Sequence, residues 1–296
     1  MNNSPFVSGL ALGSAATLGA VAALLGARAL LASSSSSLLS SSPSSSSVPS
    51  GPEANLPPPA CLPDEVLAAR RRAVKPDAVV LSGKHIELVP YSPDHHLDLL
   101  HLRSSGAACT GSVAGELRSV SEYDAEAVVW RYMFGGPFES ADDLGRYLQR
   151  QVDAPNGTPW AVVDKTSSEP LGIVNLMNCA PDHLKVEIGS LWLSPLAQKS
   201  IVNTELMVLL ADLVFEVWHF RRFEWKCDAR NRRSQRAACR LGFVAEGVQD
   251  CHFIIKDRSR DTAWFRILDH EYYEAGGVKD RLDSLLAAAE AKIASR

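Results

Sequence analysis

The sequence predicts an α/β (α+β) domain with a mixed, mostly antiparallel central sheet flanked by helices, and three adjacent observations lead there. Residues 186–193 are rich in β-branched and aromatic side chains and stop at Ser194-Pro195, where proline cannot donate to a ladder. Beyond Gln198-Lys199-Ser200, the apolar residues Leu206, Leu209, Leu210, Leu213, Val214 and Val217 recur at helical spacing. Met207, Ala211, Phe215 and Trp218 broaden that stripe into a buried helix. Phe223, Trp225 and Cys227 then alternate with Glu224, Lys226 and Asp228, the period-2 pattern of a strand with two different faces. Together these make a βαβ unit, whose crossover sets its strands parallel. The N-terminus of its helix gathers unpaired N–H groups and a positive dipole end, suited to an anion such as phosphate.

Composition narrows the function classes. A chain of 296 residues with 46% hydrophobic content can bury a sizeable core. A net charge of -4 gives no electrostatic footprint for nucleic acid. Six cysteines include no C-x-x-C pair and no nearby histidine cluster, which predicts free thiols, a reducing compartment and no metal. Cys227 and Cys251 fall on strand positions, where a thiol is expected to pack as a small buried hydrophobe.

In chain order, residues 1–32 form a hydrophobic N-terminal segment in which residues 5–27 carry no charge, enough to cross a bilayer as a helix. A cleaved signal peptide would want a positive start, and a mitochondrial presequence would want early arginines, whereas the first is Arg28. The Ser-rich, acid-poor run 33–50 suits a plastid transit peptide. The preferred reading is a membrane anchor, with Arg28, Arg70, Arg71 and Arg72 keeping the following chain on the cytoplasmic face. The alternatives are an organelle (plastid or mitochondrion) after cleavage, or the cytoplasm. Residues 33–76 read as a Ser/Pro-rich disordered linker, 77–275 as the folded domain and 276–296 as a C-terminal amphipathic helix.

Within the domain, residues 78–81, a turn at Ser82-Gly83 and residues 85–90 read as an edge-type strand pair. Ser92-Pro93-Asp94 starts a helix with Leu97, Leu100 and Leu102; a second helix spans 122–133 and closes at Gly135-Gly136-Pro137; a third follows Ser140 with Leu144, Tyr147 and Leu148. Residues 160–164 and 171–177 form a hairpin that the strand 186–193 extends into a meander. After the βαβ unit a short helix ends in Leu241-Gly242-Phe243, and 251–256 with 262–268 make a final hairpin. The terminal helix carries Val278, Leu282, Leu285, Leu286, Ala289 and Ile293 on one face, to pack on its own domain or to pair with a second copy as a homodimer.

Several motifs now combine. The order of elements, with Val186-Glu187-Ile188-Gly189, Ser194-Pro195, Asn231-x-x-Ser234, Arg240-Leu241-Gly242-Phe243, Glu246-Gly247 and Asp261-Thr262-Ala263-Trp264-Phe265, resembles the GNAT superfamily of acetyl-CoA-dependent N-acyltransferases, in its RimJ/RimL-like branch. Trp130-Arg131-Tyr132 and Gly136-Pro137-Phe138 add to the resemblance, in a region that borders the acceptor site of such folds. The resemblance implies a GNAT-like sheet with a splayed parallel strand pair, between which the pantetheine arm of acetyl-CoA inserts. It implies acetyl transfer to a primary amine (a protein N-terminus, a lysine or a small amine) by direct attack on the thioester. The pyrophosphate would meet Gln198, Lys199, Ser200, Ile201, Val202, Asn203 and Thr204, and backbone N–H groups near Leu191, Trp192 and Leu193 would polarise the carbonyl. Asn231 and Ser234 would line the arm of CoA, with Ser234 protonating the thiolate; both also suit a helix start.

An amine near pKa ~10.4 needs a base. Glu187 on the splayed strand is the first candidate, its other reading being a strand residue paired with a basic neighbour, and Glu246 is the second. Tyr132 and His252 are further acid candidates. Ile201 and Asn203 stand where the family's phosphate loop carries glycines. That departure motivates the alternative function, a catalytically weak or inactive, membrane-tethered CoA-binding or scaffold module.

Overall fold

Trp160 and Val162 enter one hydrophobic cluster, while Ala161 and Val163, between and beside them, enter another. A strand buried on both faces must be covered on both, so helices flank the sheet. The computed structural model describes residues 62–72 and 77–295. In chain order these form α1 (Asp64–Arg72), β1 (Leu81–Ser82), β2 (Ile86–Pro90), α2 (Pro93–Leu102), β3 (Cys109–Val113), β4 (Glu116–Val120) and a single π-helical turn, α3 (Glu126–Trp130). There follow α4 (Ala141–Val152), β5 (Thr158–Asp164), β6 (Pro170–Ala180), β7 (Lys185–Leu193), α5 (Val202–Asp212), β8 (Arg222–Asp228), α6 (Arg232–Arg240), β9 (Val244–Ile255), β10 (Arg258–Leu268), α7 (Asp269–Tyr273) and α8 (Val278–Ala294).

The main sheet runs β1-β2-β5-β6-β7-β8-β10-β9, and β3 with β4 form a separate hairpin. Every neighbouring pair is antiparallel except β7–β8, which the crossover through α5 makes parallel. This is the mixed α/β sheet that the sequence predicts. On one face Leu206 and Leu210 of α5 pack on Val186 and Phe223, with Tyr272 and Leu282 from α7 and α8 in the same cluster. On the other, Leu100, Trp130, Leu144 and Leu148 pack on Ile173 and Trp192. Glu205, buried in the first turn of α5, accepts the backbone N–H of Lys84 and, at 3.0 Å, that of His85, tying the β1–β2 turn to this helix.

The terminal helix α8 packs on α5 and α7, with Val278 and Leu282 buried, so its apolar face is used on its own domain. The buried stripe of α5 holds except at its end. A π-helical turn at Leu213–Val217 widens the backbone and rotates Val217 outward, leaving it 65% exposed.

Other expectations change. The helix expected over 122–133 shrinks to α3, because Tyr123 N–H is drawn to Gly106 O (2.9 Å) and Asp124 Oδ1 caps Ala127 N–H (3.0 Å). The β3–β4 hairpin is unanticipated: its turn uses Ala114 (φ 54) and Gly115 (φ 81), and Asp164 Oδ2 holds the buried Ala114 N–H at 2.6 Å. β9 begins at Val244 rather than 251, and Cys251 is exposed at φ 50 rather than buried; Cys227 is buried as expected. The strand expected over 78–81 reduces to Leu81–Ser82. Asp64–Arg72, inside the expected linker, is a helix with acidic residues in its first turn, and its Val66 packs against the main core. The expected anchor at residues 5–27 and the rest of 1–61 lie outside the described residues. Among the described residues no helix is long and apolar enough to cross a membrane.

Candidate active site

Strand β8 pairs with β10 over its whole length, but with β7 only from Lys185↔Arg222 to Ile188↔Trp225. Past Ile188 the two parallel strands separate. Strand β7 also bulges there: its register with β6 passes from Asn175↔Gly189 to Ile173↔Trp192, so Ser190 and Leu191 face one residue, and Ser190 takes φ 47. Ser190 and Leu191 therefore have no register partner on either side. A cavity of about 80 Å³ fills the wedge, with Gly189, Ser190 and Leu191 on one wall and Trp225, Lys226 and Cys227 on the other. Asn231 and Ser234 stand at its α6 side, and Tyr132 and Phe134 close it. Of the three residues expected to polarise a carbonyl, Leu191 lines the wedge; Trp192 and Leu193 are buried and in register with β6.

Asn231 caps α6 by accepting Ser234 N–H at 3.1 Å. Ser234 uses its hydroxyl differently: Oγ accepts the indole N–H of Trp225 at 2.9 Å. With that lone pair engaged, its O–H is directed at the sulfur of Cys227 on the wedge wall. Burial pushes the neighbouring Cys227 thiol up, which keeps it protonated and a poor nucleophile.

Glu187, 6% exposed, lies at the last pairs before the split. Its Oε2 accepts from Lys226 Nζ (2.8 Å) and Asn178 Nδ2 (2.7 Å). Oε1 lies toward Gly189, where an added Cβ would sit 3.7 Å away, and Gly189 is part of the wedge wall. Lys226 also reaches Glu224 Oε2 at 3.3 Å and sits 3.8 Å over the Trp264 ring. The basic partner anticipated for Glu187 is thus Lys226. Glu246, the second candidate base, is elsewhere: Arg222 holds both its oxygens (Nη1 at 2.9 Å), Arg266 approaches at 3.8 Å, and it lines none of the wedge. His252 stacks on Phe253 (3.8 Å) outside the wedge, while Tyr132 is at its edge.

At the start of α5 a second cavity, about 320 Å³, is lined by Lys199, Ser200, Ile201 and Thr204. Arg118 from β4, Arg240 from α6 and Lys292 from α8 converge on it, with Glu116 as its acidic member. Arg240 Nη1 donates to Thr204 Oγ1 (3.2 Å), and Arg118 Nη1 to Leu196 O (2.8 Å). Lys199 takes the left-handed conformation (φ 56) and Ile201 is buried, so this turn closes without glycine. Gln198 braces it by donating to Leu193 O at 3.0 Å, and Val202 is buried in the core. Neither these two nor Asn203 lines the cavity. A helix N-terminus ringed by four cations suits a diphosphate. No sequence signal marks Arg118 or Lys292 for this cavity, and Arg240 carries one only through Arg240-Leu241-Gly242-Phe243.

A third cavity of about 480 Å³ adjoins the wedge, since Tyr132 and Arg260 line both. It is of small-molecule size.

The arrangement has relatives. A family model described as an acetyltransferase (GNAT) domain matches residues 115–244. Spermidine N(1)-acetyltransferase of Escherichia coli K12 is 26% identical over 157 residues, 53% of this chain and 83% of that protein. A Chromobacterium violaceum structure assigned to the GNAT family aligns at TM-score 0.61 and 29% identity, covering 74% of this chain and all (100%) of the other. The GNAT family uses acetyl-CoA. A GCN5-related N-acetyltransferase from Brucella melitensis aligns at TM-score 0.63 and 31% identity over 72% of this chain and 88% of its own. On that likeness and the split β7–β8 pair, this chain belongs to the GCN5-related N-acetyltransferase (GNAT) family and is an N-acetyltransferase.

Proposed function

We propose that the protein transfers the acetyl group of acetyl-CoA to a primary amine by direct attack, as a member of the RimJ/RimL-like branch. The observation that carries this is the end of β7–β8 pairing at Ile188↔Trp225, with Ser234 beside the opening. The pantetheine arm lies along the unpaired edge of β7, and the diphosphate rests on the α5 cradle with Lys199, Arg118, Arg240 and Lys292. Leu191 N–H is the donor proposed for the thioester oxygen. The amine nitrogen forms a bond to the acetyl carbon, the carbon–sulfur bond breaks, and the amine loses a proton while the thiolate gains one. Glu187, through Oε1 and water, accepts the first, and Ser234 Oγ–H supplies the second. Attack is direct because the wedge cysteine, Cys227, is held as a thiol. The spermidine acetyltransferase relative supports an amine acceptor.

The test is thiol release from acetyl-CoA by the full chain with and without mixed primary amines, alongside calorimetry with acetyl-CoA. Amine-dependent release is expected. Binding without release under every amine would instead favour the scaffold reading, which the absence of glycine at Ile201 and Asn203 motivates. The uncharged run 5–27 remains, in this proposal, an anchor at the cytoplasmic face of a membrane. Diffuse fluorescence from a fusion carrying residues 1–76 would refute that part.

A further inference from the structure

Arg260 is 6% exposed on β10, and its Nε is buried without a hydrogen-bond partner. Its guanidinium makes no ion pair among the described residues, although a buried charge is costly unless a partner meets it. The carboxylates nearest to it are committed elsewhere. Asp228 accepts from Arg230 N–H (2.8 Å), Nε (3.1 Å) and Nη2 (3.0 Å), and Glu187 accepts from Lys226 and Asn178. The rings of Phe134 and Phe253 lie 4.9 and 5.7 Å from its central carbon and 5.3 Å from each other, so both sit on one side of the guanidinium and neither supplies a hydrogen-bond acceptor.

Its place is equally specific. Arg260 lines both the wedge and the 480 Å³ cavity, so it stands where an acceptor entering from the larger cavity meets the thioester. That cavity carries excess positive charge: Glu126 is held by Lys256 (2.8 Å) and Asp228 by Arg230, and the remaining carboxylate, Asp124, accepts Ala127 N–H (3.0 Å), while Arg131 and Arg258 also line it and pair with no carboxylate among the described residues. A polyamine would bring several more cations into this field and be repelled.

The geometry points to Arg260 as a specificity-determining residue that receives the carboxylate of a small acceptor, so that the acceptor is a primary amine also bearing a carboxylate, of amino-acid type. Arginine suits this because its fork pairs with both carboxylate oxygens while the amine remains free to attack. The inference rests on the amine-transfer reading above.

The test compares kcat/KM of the full-length protein for amino acids, for the same amines without the carboxyl group, for spermidine and for short peptides with acidic side chains. The carboxylate-bearing amine is expected to exceed its decarboxylated counterpart by about 100-fold. Arg260→Met should erase that ratio by raising KM for the acid. Arg260→Lys, which keeps the charge without the fork, should restore part of it and guards against a folding failure of the first variant. Equal or better use of spermidine or of the decarboxylated amine overturns the inference while leaving the transferase reading intact. So does a ratio that persists in Arg260→Met, and preference for the acidic peptides would move the acceptor to a macromolecule and overturn the small-molecule assignment. Failure to acetylate any amine overturns the transferase reading itself.

Discussion

The two ends of the β7–β8 pair are made from the same two strands and do opposite things. At the closed end, Lys185–Ile188 lies in register with Arg222–Trp225, Val186 and Phe223 fill the core, and Glu224 gathers Arg222 (2.8 Å), Lys226 (3.3 Å) and Lys185 (3.4 Å). At the open end the backbone of Ser190 and Leu191 has no strand partner, and the space holds a hydroxyl, a thiol and a lysine. Cohesion is concentrated where the strands meet, which leaves the other end free to keep polar backbone unsatisfied for a ligand to complete.

Variants can break or sharpen that contrast. The largest effect is expected for Phe223→Ala at the closed end, a loss of about 3–5 kcal/mol in denaturant unfolding, because a wholly buried aromatic leaves a cavity. Next is Glu187→Gln, at the junction, expected to lower kcat about 10³-fold with little change in unfolding, since Lys226 keeps Glu224 as a partner. An unchanged rate would remove Glu187 as the base. Ser234→Ala, at the open end, should lower kcat about 10²-fold, and tryptophan fluorescence should report the lost Trp225 bond.

Acid then separates the ends. Burial pushes the Glu224 carboxyl up, but the Arg222 hydrogen bond and the charges of Lys226, Lys185 and Arg222 together leave it below its usual value. Its stabilising contribution is therefore complete above the ordinary Glu pKa of ~4.3 and is lost as pH falls through the depressed folded value. Thermal melts between neutral and acidic pH should show that loss, and Glu224→Gln should flatten it. The smallest effect belongs to Glu246→Gln, expected to change kcat by less than about twofold, because its ion pair with Arg222 is partly exposed and remote from the wedge. A larger effect would reinstate Glu246 as a catalytic candidate.

The βαβ unit was legible because its signal is local: the period of Leu206, Leu210 and Val214, and the alternation from Phe223 to Asp228, report burial on a single segment. The bulge at Ser190 and the point where pairing ends were not, since register depends on how three strands compete for one edge. Alternation placed Glu187 and Lys226 on strands without showing that they meet. Arg118, Arg240, Arg260 and Lys292 come from four separate elements, and no spacing along the chain brings them to the cavities. The β3–β4 hairpin escaped because its turn pairs Gly115 with Ala114, a residue that rarely takes a positive φ and is held there by a buried carboxylate fifty residues away, Asp164.

One contact has a mechanical consequence. The chain entering the domain passes through β1, paired only as Leu81↔Leu88 and Ser82↔Glu87, and Lys84 and His85 just beyond it donate their N–H groups to Glu205. Tension applied at Leu81, beyond the bond from Trp160 Nε1 to Val79 O (2.7 Å), therefore divides between two strand pairs and the first turn of α5, the same turn whose Ile201 and Thr204 wall the cationic cradle. A pull on this segment is geared to that cradle, and if the cradle holds the diphosphate as proposed, force spectroscopy with and without acetyl-CoA would read the two as one spring.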